Sequence, residues 1–350
     1  MNYNNIIAGP CSIESKEQFF NTCNQLRELG FTNIRGGVWK PRTKPGGFEG
    51  LGELALQWMK EYKVLYPQML MFCEVANKDQ LNLALSYDID GIWIGARTTV
   101  DPFAVQEIAD ALSSIEYKQN LIVMVKNPVC PDIDLWEGAI QRIWKAGIDP
   151  NNVIAIHRGF KIYGQSKYRN EPIWRIPLDL KIKYPNLKIF VDPSHISGNR
   201  EYIPEIVKEA INVYGFDGLI IESHFEPNNA WTDAKQQLVP CKMKEIIDEV
   251  FNDKTNSISN TKELDDYRKQ IDWCDTQLLY FLGQRQEISK KIGNYKKTNN
   301  MTTFQKDRWK NLLNNIVKEG FEKYGLSEKY IEDIWEIIHE NSIDIQSKEL

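Results

Sequence analysis

The feature that most constrains the fold is an alternation of short apolar runs and amphipathic stretches along the first 250 or so residues. The apolar, β-branched runs have the length and composition of buried strands. They lie at 5–9, 32–38, 69–75, 91–95, 121–126, 153–157, 188–192 and 218–222. Helical periodicity follows at 15–30, 51–65, 78–87, 103–115, 134–146, 172–184, 202–214 and 235–251. Eight strand–helix units of this total length predict an α/β fold, a (β/α)8 barrel.

An open, doubly wound sheet is the structural alternative, because strands and helices alternate in both folds. The number of strands favours the closed barrel. In such a barrel the functional side chains gather where the strands end, at the carboxyl face.

The pattern changes after the barrel. The segment 253–262 is polar and lacks periodicity, which predicts a linker between one domain at 1–252 and a second at 263–350. From Leu264 apolar positions keep helical spacing over more than 30 residues, and two shorter helical patterns follow at 306–319 and 328–346. The second domain is therefore predicted to be small and all-α.

Charge and hydropathy narrow the range of partners. The net charge of −5 offers no general attraction for nucleic acid or an anionic membrane. No apolar run approaches the roughly 20 residues that span a bilayer, and the N-terminal residues do not have the pattern of a signal peptide. We expect a soluble cytoplasmic protein that acts on small molecules.

Four residues with metal-binding side chains lie at or just beyond the ends of three predicted strands. Cys11 follows the first strand, His195 the seventh and Glu222 the eighth, with Asp233 shortly beyond. Closure of a barrel makes these strands neighbours. A mixed sulfur, nitrogen and oxygen set suits Mn, Fe, Co or Zn better than Mg or Ca, which prefer oxygen alone. Each residue taken alone is more often structural, but the four together predict a divalent metal ion.

The other strand ends are cationic. Basic residues that point into one mouth of an acidic protein indicate a polyanionic ligand, although each alone would be typical of a solvated charge or an ion pair. They are Arg35, Lys40, Arg42, Arg97, Lys126 and Arg158. This set favours phosphorylated substrates.

Residues 5 to about 240 resemble the metal-dependent 3-deoxy-D-arabino-heptulosonate-7-phosphate (DAHP) synthases. The motifs that carry the resemblance are Ala8-Gly9-Pro10-Cys11-Ser12, Arg35-Gly36-Gly37, Lys40-Pro41-Arg42-Thr43, Ile94-Gly95-Ala96-Arg97, Arg158-Gly159, Asp192-Pro193-Ser194-His195 and Glu222-Ser223-His224. The related 3-deoxy-octulosonate-8-phosphate synthases share the barrel and the phosphoenolpyruvate site but lack the Lys-Pro-Arg-Thr loop. That loop favours erythrose 4-phosphate over arabinose 5-phosphate as the second substrate.

The resemblance implies a role for each strand-end residue. The metal would be held by Cys11, His195, Glu222 and Asp233. Phosphoenolpyruvate would be held by Arg35, Lys40, Arg97, Lys126 and Arg158, and the phosphate of the aldehyde by Arg42 and Thr43. The cations would hold two mutually repelling anions close enough to react, and Lys126 is a candidate for proton transfer.

The spacing of three basic residues on the long C-terminal helix limits which of them can bind one small ligand within a single chain. Arg268 and Arg285 are 17 residues apart, or roughly 25 Å along a helix. Arg285 and Lys296 are 11 residues apart, about three turns, on one face. A site that also uses Arg268 must take it from a second copy, which predicts an intertwined antiparallel homodimer. A dimerising bundle with solvated charges is the alternative.

Residues 263–348 resemble the all-helical chorismate mutases, through Arg268-Lys269-Gln270-Ile271, Asp275, Leu278-Leu279, Arg285, Gly293, Lys296, Arg308 and the segment from Ser342 to Gln346. The resemblance implies that Arg268, Arg285 and Arg308 bind the carboxylates of chorismate. Lys296 and Gln346 would donate to its ether oxygen, and Ser342 belongs to the same site.

Two positions depart from the mutase pattern. Gln305 and Trp309 stand where many relatives carry Asp and Glu to bind the substrate hydroxyl. Gln305 can still form a hydrogen bond, whereas Trp309 offers only an indole donor. Slow turnover is expected.

The sequence as a whole predicts a bifunctional enzyme with feedback by chorismate or prephenate. Its substrates would be phosphoenolpyruvate, erythrose 4-phosphate and chorismate. A helical domain that only senses ligand and dimerises is the alternative, and assembly beyond a dimer is left open.

Overall fold

The computed structural model describes residues 3–40, 46–115, 120–164, 166–255 and 261–348, without the side chains of 253–255 and 261–263. The chain divides into two compact units, Met1–Ser257 and Ile258–Leu350.

A closed parallel barrel forms the first unit. The described residues contain eight strands: β1 Ile6–Gly9, β2 Asn33–Arg35, β3 Leu70–Val75, β4 Gly91–Ile94, β5 Ile122–Lys126, β6 Val153–His157, β7 Lys188–Val191 and β8 Gly218–Glu222. Each pairs in parallel with the next, and β8 pairs with β1 through Ala8 opposite Ile221 and Gly9 opposite Glu222. This closure confirms the predicted barrel and excludes the open sheet.

Helices connect the strands. They are α1 Lys16–Glu28, α2 Glu53–Leu65, α3 Lys78–Ser86, α4 Ala96–Thr99, α5 Pro102–Ser113, α6 Ile133–Lys145, α7 Arg175–Lys183, α8 Pro193–Ser197, α9 Ile203–Lys208 and α10 Pro240–Thr255. A π-helix, Glu209–Val213, continues α9. The short α4 and α8 were not predicted. Both begin directly after a strand, at the end of the barrel where the predicted site residues lie.

Side-chain caps fix where several of these helices begin. Ser15 accepts a hydrogen bond from the backbone of α1, Asn77 from α3, Asp101 from α5 and Asp132 from α6. Such caps satisfy amide groups that lack a partner within the helix. They stabilise the strand-to-helix turns that carry the site.

Two apolar cores follow from the alternation of side chains along each strand. The larger core packs the outer strand residues against the helices. A separate cluster of inward-facing residues fills the barrel: Ile7, Phe72, Trp93, Met124, Ile154, Ile156, Phe190 and Ile220. The barrel is therefore filled by side chains, as expected for eight strands.

Over residues 261–348 the second unit consists of helices joined by short connections. Its helices are α11 Thr261–Thr298, α12 Lys306–Tyr324 and α13 Glu328–Lys348, and α13 packs against both others. Gly325, at a φ of +66°, ends α12 in the left-handed region that glycine adopts at low cost. Within the described residues, no helix is long and apolar enough to cross a membrane.

Many large apolar side chains of α11 are exposed in the single chain. They include Leu264, Tyr267, Ile271, Trp273, Leu278, Leu279, Tyr280, Phe281, Leu282, Ile288, Ile292 and Tyr295. Large exposed apolar patches are rare on soluble monomers and mark sites of interaction.

Candidate active sites

Three of the predicted metal ligands meet at one point of the barrel mouth. Cys11 follows β1, Glu222 ends β8 and Asp233 lies in the loop after β8. One ligand atom from each lies within 4.8 Å of the others, and the Sγ atom of Cys11 is 3.2 Å from Oδ2 of Asp233. Gly37 allows this arrangement, because a Cβ atom there would lie 2.1 Å from the carbonyl oxygen of Cys11.

His195, the fourth predicted ligand, lies on α8 at the edge of this group. Its Nε2 atom is 3.7 Å from Oε1 of Glu222, and its Nδ1 atom is 2.8 Å from Oδ2 of Asp192. The other oxygen of Asp192 accepts a hydrogen bond from the backbone amide of His195. Burial lowers the pKa of His195, and the neutral imidazole is the form that binds metals. Asp192 therefore orients the ring with Nε2 towards Glu222.

The acidic and basic groups of the site are strongly coupled. Burial opposes ionisation of Glu222, but His195 and Arg35 outweigh it and lower the pKa of that carboxyl. Burial likewise opposes ionisation of Asp233, and Lys40 outweighs it and lowers that pKa. Burial, followed by the charge of Glu222, raises the pKa of the Cys11 thiol. Both carboxyl groups are therefore anionic at neutral pH and the thiol retains its proton.

Lys40 lies against this acidic group. Its Nζ atom is 2.7 Å from Sγ of Cys11 and 3.5 Å from Oδ2 of Asp233. The ammonium group thus provides a positive charge beside two of the predicted metal ligands.

Buried cations line the neighbouring strand ends. Arg35, Lys126 and Arg158 are each less than one tenth exposed. The ring of Trp93 lies between two of them, with its centre 5.0 Å from Cζ of Arg35 and 5.7 Å from Nζ of Lys126. Lys126 pairs with Asp192 at 2.9 Å. Burial lowers the pKa of Arg158 to about 10, as expected where positive charge is desolvated.

Two nitrogen atoms of Arg35, Nε and Nη1, are buried without a hydrogen-bond partner among the described residues. Unpaired buried donors are costly, so an anionic ligand at this position would satisfy them. Arg97 is the second residue of α4 and is exposed. Arg42 and Thr43 lie outside the described residues.

The sequence analysis missed three residues that contact this site. Asp192 lies in a quoted motif but was given no role, although it contacts both Lys126 and His195. Arg169 and Gln236 lie in loops, where no periodicity marks a residue as inward-facing. Arg169 donates to Asp233 and to Gln236, and Gln236 donates to Glu222.

The helical unit brings two predicted pairs together. Arg285 of α11 donates to the hydroxyl of Ser342 on α13, and Lys296 donates to Oε1 of Gln346 at 2.9 Å. A cavity of about 340 Å³ adjoins Lys296 and Gln305. These four predicted residues of α11 and α13 therefore share one helix–helix face, with Gln305 beside it.

The remaining predicted residues of this unit lie apart in the single chain. Arg268 is exposed and pairs with Asp265 one turn away at 3.1 Å. Arg308 is also exposed. The indole of Trp309 stacks on the imidazole of His339, with centres 3.9 Å apart and planes at 6°. The residue that departs from the mutase pattern is thus held flat against α13.

Comparison with known proteins identifies relatives for both units. The family model described as "DAHP synthetase I family" matches residues 2–259, and that of chorismate mutase type II matches residues 267–347. A phospho-2-dehydro-3-deoxyheptonate aldolase of Thermotoga maritima is 34% identical over 248 residues, covering 71% of this chain and 69% of the relative. A 2-dehydro-3-deoxyphosphooctonate aldolase of Brucella ovis is 23% identical over 264 residues, covering 70% and 89%.

Solved structures give the same result for the barrel. The crystal structure of the Thermotoga maritima aldolase, a DAHP synthase, aligns with a TM-score of 0.63 at 32% identity, covering 72% of this chain and 69% of that one. A truncated form of the Thermotoga maritima synthase aligns with a TM-score of 0.60 at 29% identity, covering 72% and 86%.

Proposed function

The chain belongs to the DAHP synthetase I family, and we propose that its barrel condenses phosphoenolpyruvate with erythrose 4-phosphate and water to give DAHP and inorganic phosphate. One observation carries this proposal. A thiol and two carboxylates converge at a barrel mouth that also contains three buried cations. A metal-binding set beside an anion-binding set suits the joining of a phosphorylated enol to a phosphorylated aldehyde.

The donor set fits a divalent metal ion. Cys11, His195, Glu222 and Asp233 would hold it, and the sulfur, nitrogen and oxygen donors favour Mn, Fe, Co or Zn. The carboxyls are ionised, and the Lys40 ammonium beside Cys11 and Asp233 shows that positive charge is stabilised there. When bound, such an ion would polarise the aldehyde oxygen or activate water.

The buried cations would bind phosphoenolpyruvate. Arg35 has two buried N–H groups without partners, and Arg158 is held by Asn170 at 2.8 Å. Positioned donors of this kind hold an anion at little cost in reorganisation. We assign Arg97 and Lys40 to the same ligand, and Arg42 and Thr43 to the phosphate of the aldehyde.

Proton transfer is assigned to Lys126. In the condensation the C3 atom of phosphoenolpyruvate bonds to the aldehyde carbon, whose oxygen takes up a proton, while water adds at C2 and phosphate leaves. The Nζ atom of Lys126 is buried, and Asp192 fixes it at 2.9 Å. A positioned ammonium can supply the proton that the aldehyde oxygen requires.

We further propose that the helical unit converts chorismate to prephenate. The match to the mutase family and the paired Arg285–Ser342 and Lys296–Gln346 contacts support this activity. Lys296 and Gln346 would donate to the ether oxygen as its bond to carbon breaks, and this stabilises the charge that develops there. Arg285 and Arg308 would bind carboxylates.

The same site would be completed by a second copy of the chain. Arg268 lies 17 residues from Arg285 on one continuous helix, so the two cannot reach one small ligand within a chain. The exposed apolar side chains along α11 supply a surface for a partner. A two-fold homodimer with antiparallel α11 helices would bring Arg268 of one copy to Arg285 of the other.

Regulation is proposed through the helical unit. Chorismate or prephenate bound there would lower the rate of DAHP synthesis. The barrel reaction would then slow when the ligand of the helical unit accumulates. The proposal rests on the presence of both units in one chain.

The experiment that tests these activities uses the purified full-length chain. DAHP formation should require erythrose 4-phosphate, stop with a chelator and return with Mn²⁺ or Co²⁺. Equal use of arabinose 5-phosphate would instead support an octulosonate-type synthase. Cys11→Ala should abolish DAHP formation and leave chorismate consumption unchanged, whereas Arg285→Ala should do the reverse.

If DAHP synthesis survives both the chelator and Cys11→Ala, the four-ligand site is wrong. If the chain does not consume chorismate, yet chorismate or prephenate inhibits DAHP synthesis, the helical unit is a sensor alone.

A further inference from the structure

Gln236 is a buried amide that contacts the barrel site without being one of the predicted ligands. It lies in the 3-10 turn Ala234–Gln236, directly after Asp233, and is 1% exposed. Its Nε2 atom donates to Oε2 of Glu222 at 2.6 Å, and its Oε1 atom accepts from Nη1 of Arg169 at 2.8 Å.

Chemistry fixes the orientation of this amide. The guanidinium of Arg169 only donates, so the carbonyl oxygen of Gln236 must face it. The ionised carboxylate of Glu222 only accepts, so the NH₂ group must face Glu222. Reversing the amide would break both hydrogen bonds.

Arg169 also reaches the second carboxylate. Its Nη1 atom is 3.2 Å from Oδ1 of Asp233. The backbone of Arg169 is also fixed, because its amide donates to the carbonyl of Ser197 at 3.2 Å. Gly198 leaves room for its side chain, since a Cβ atom there would lie 2.5 Å from Cβ of Arg169.

The network therefore binds one oxygen of each carboxylate and leaves the other directed at the rest of the site. The second oxygen of Asp233 is 3.2 Å from Sγ of Cys11. The second oxygen of Glu222 accepts from Nη2 of Arg35 at 3.2 Å and is 3.7 Å from Nε2 of His195. Asp233 is held in a left-handed conformation, with φ at +44°. Such strain in a non-glycine residue persists only where surrounding contacts enforce it.

We propose that Arg169 and Gln236 are positioning residues that set the geometry of Glu222 and Asp233 for a divalent cation. This inference rests on the proposed function of the barrel. Gln236 orients Glu222 by hydrogen bonding and adds no charge to that of Arg35, which already pairs with this carboxylate at 3.2 Å. Partners of this kind orient ligands and raise metal affinity.

The test is titration of the metal-free full-length protein with Co²⁺, followed through the thiolate-to-metal absorption that a Cys11 ligand gives. Cys11→Ala assigns the band. Gln236→Leu should raise the dissociation constant about 10- to 100-fold, and Arg169→Met should change it in the same direction. In the double variant the Co²⁺ dissociation constant should rise by less than the product of the two single-variant factors, because the residues act through one network.

The matched control is Arg200→Met. Arg200 donates to the carbonyls of Ala234 and Lys235 and contacts neither carboxylate among its described hydrogen bonds. Its replacement should leave the Co²⁺ dissociation constant within about twofold of the wild-type value, because it removes support for the loop but not for the ligands. An equal loss in Arg200→Met would assign the effect to loop structure and overturn the inference.

Thermal unfolding of each metal-free variant separates positioning from misfolding. If Gln236→Leu does not fold, Arg169→Met carries the test, since that side chain is half exposed. Unchanged Co²⁺ affinity in a folded variant would overturn only the positioning roles of Arg169 and Gln236 and would leave the proposed metal site unaffected. Absence of the band in the wild-type protein would instead overturn the proposed metal site.

Discussion

The Nζ atom of Lys40 lies 2.7 Å from the Sγ atom of Cys11. An ammonium group therefore contacts one of the proposed metal ligands and is 3.5 Å from another, Asp233. Like charges repel across such distances. Lysine and a divalent ion should compete for the same pair of side chains.

Replacing Lys40 should change two measurements in opposite directions. Lys40→Met should tighten Co²⁺ binding by about three- to tenfold, because a competing charge near the ligands is removed. The rate of DAHP formation should fall by about 100-fold or more, because a cation assigned to phosphoenolpyruvate is lost. Weaker Co²⁺ binding in the variant would show that Lys40 supports the metal ligands and does not compete with the ion.

Mixing two inactive variants should restore part of the chorismate activity. In the proposed dimer each site takes Arg268 from one copy and Arg285 from the other. Arg268→Ala and Arg285→Ala chains, co-refolded in equal amounts, would place both intact residues in one site of each mixed dimer. About one quarter of all sites should then be active, given random two-fold pairing. The control is each variant refolded alone, and no recovery on mixing would place both residues of a site in one chain.

The buried His157 should make the barrel less stable in acid. Burial, assisted by the charge of Arg158, lowers the pKa of His157 from 6.5 to about 3. Between these values the unfolded chain binds a proton that the folded chain does not. The free energy of unfolding should therefore decrease as pH falls through this window, by roughly 1 kcal/mol per pH unit from this group.

His157→Phe is the matched variant, because its ring can pack among Trp136, Phe160 and Trp174, which surround the imidazole. Urea unfolding from pH 6 to pH 4 should show a shallower pH dependence than in the wild-type protein. Parallel curves would mean that His157 does not resist protonation in the folded state.

Restoring a carboxylate at position 309 should accelerate the mutase reaction. Trp309→Glu would supply an acceptor for the substrate hydroxyl, and kcat/KM for chorismate should rise about tenfold, the effect expected of one hydrogen bond to a charged group. The loss of stacking on His339 should lower the thermal stability of the helical unit. Trp309→Phe keeps an aromatic ring without an acceptor and should not gain activity. A fall in kcat/KM in Trp309→Glu would indicate that the stack itself organises the site.

Periodicity was enough to predict the fold. All strands from β1 to β8 lie within the predicted ranges, because buried parallel strands leave continuous apolar runs in the sequence. The two family resemblances are likewise confirmed by the matches at residues 2–259 and 267–347. The expectation that functional side chains gather at the carboxyl ends of the strands correctly predicted that Cys11 and Glu222 lie close together. This holds because β1 and β8 are neighbours only in a closed barrel.

The loop contributions could not be predicted in the same way. Arg169 and Gln236 reach the site because local hydrogen bonds and Gly198 fix their loops, and such contacts leave no periodic signal. The contact of Lys40 with Cys11 joins the loop after β2 to the loop after β1, and it likewise leaves no periodic signal. The roles assigned to the site residues remain predictions that the experiments above address.

The Cys11 and Asp233 side chains that touch in the folded barrel are separated by 222 positions in the chain. A ribosome therefore produces the thiol long before either carboxylate exists, and β1 has no edge partner on its outer side until β8 emerges. Contacts of such high sequence separation form late. A cation held by the proposed ligands would therefore bind only after nearly the whole first unit has been synthesised and the barrel has closed.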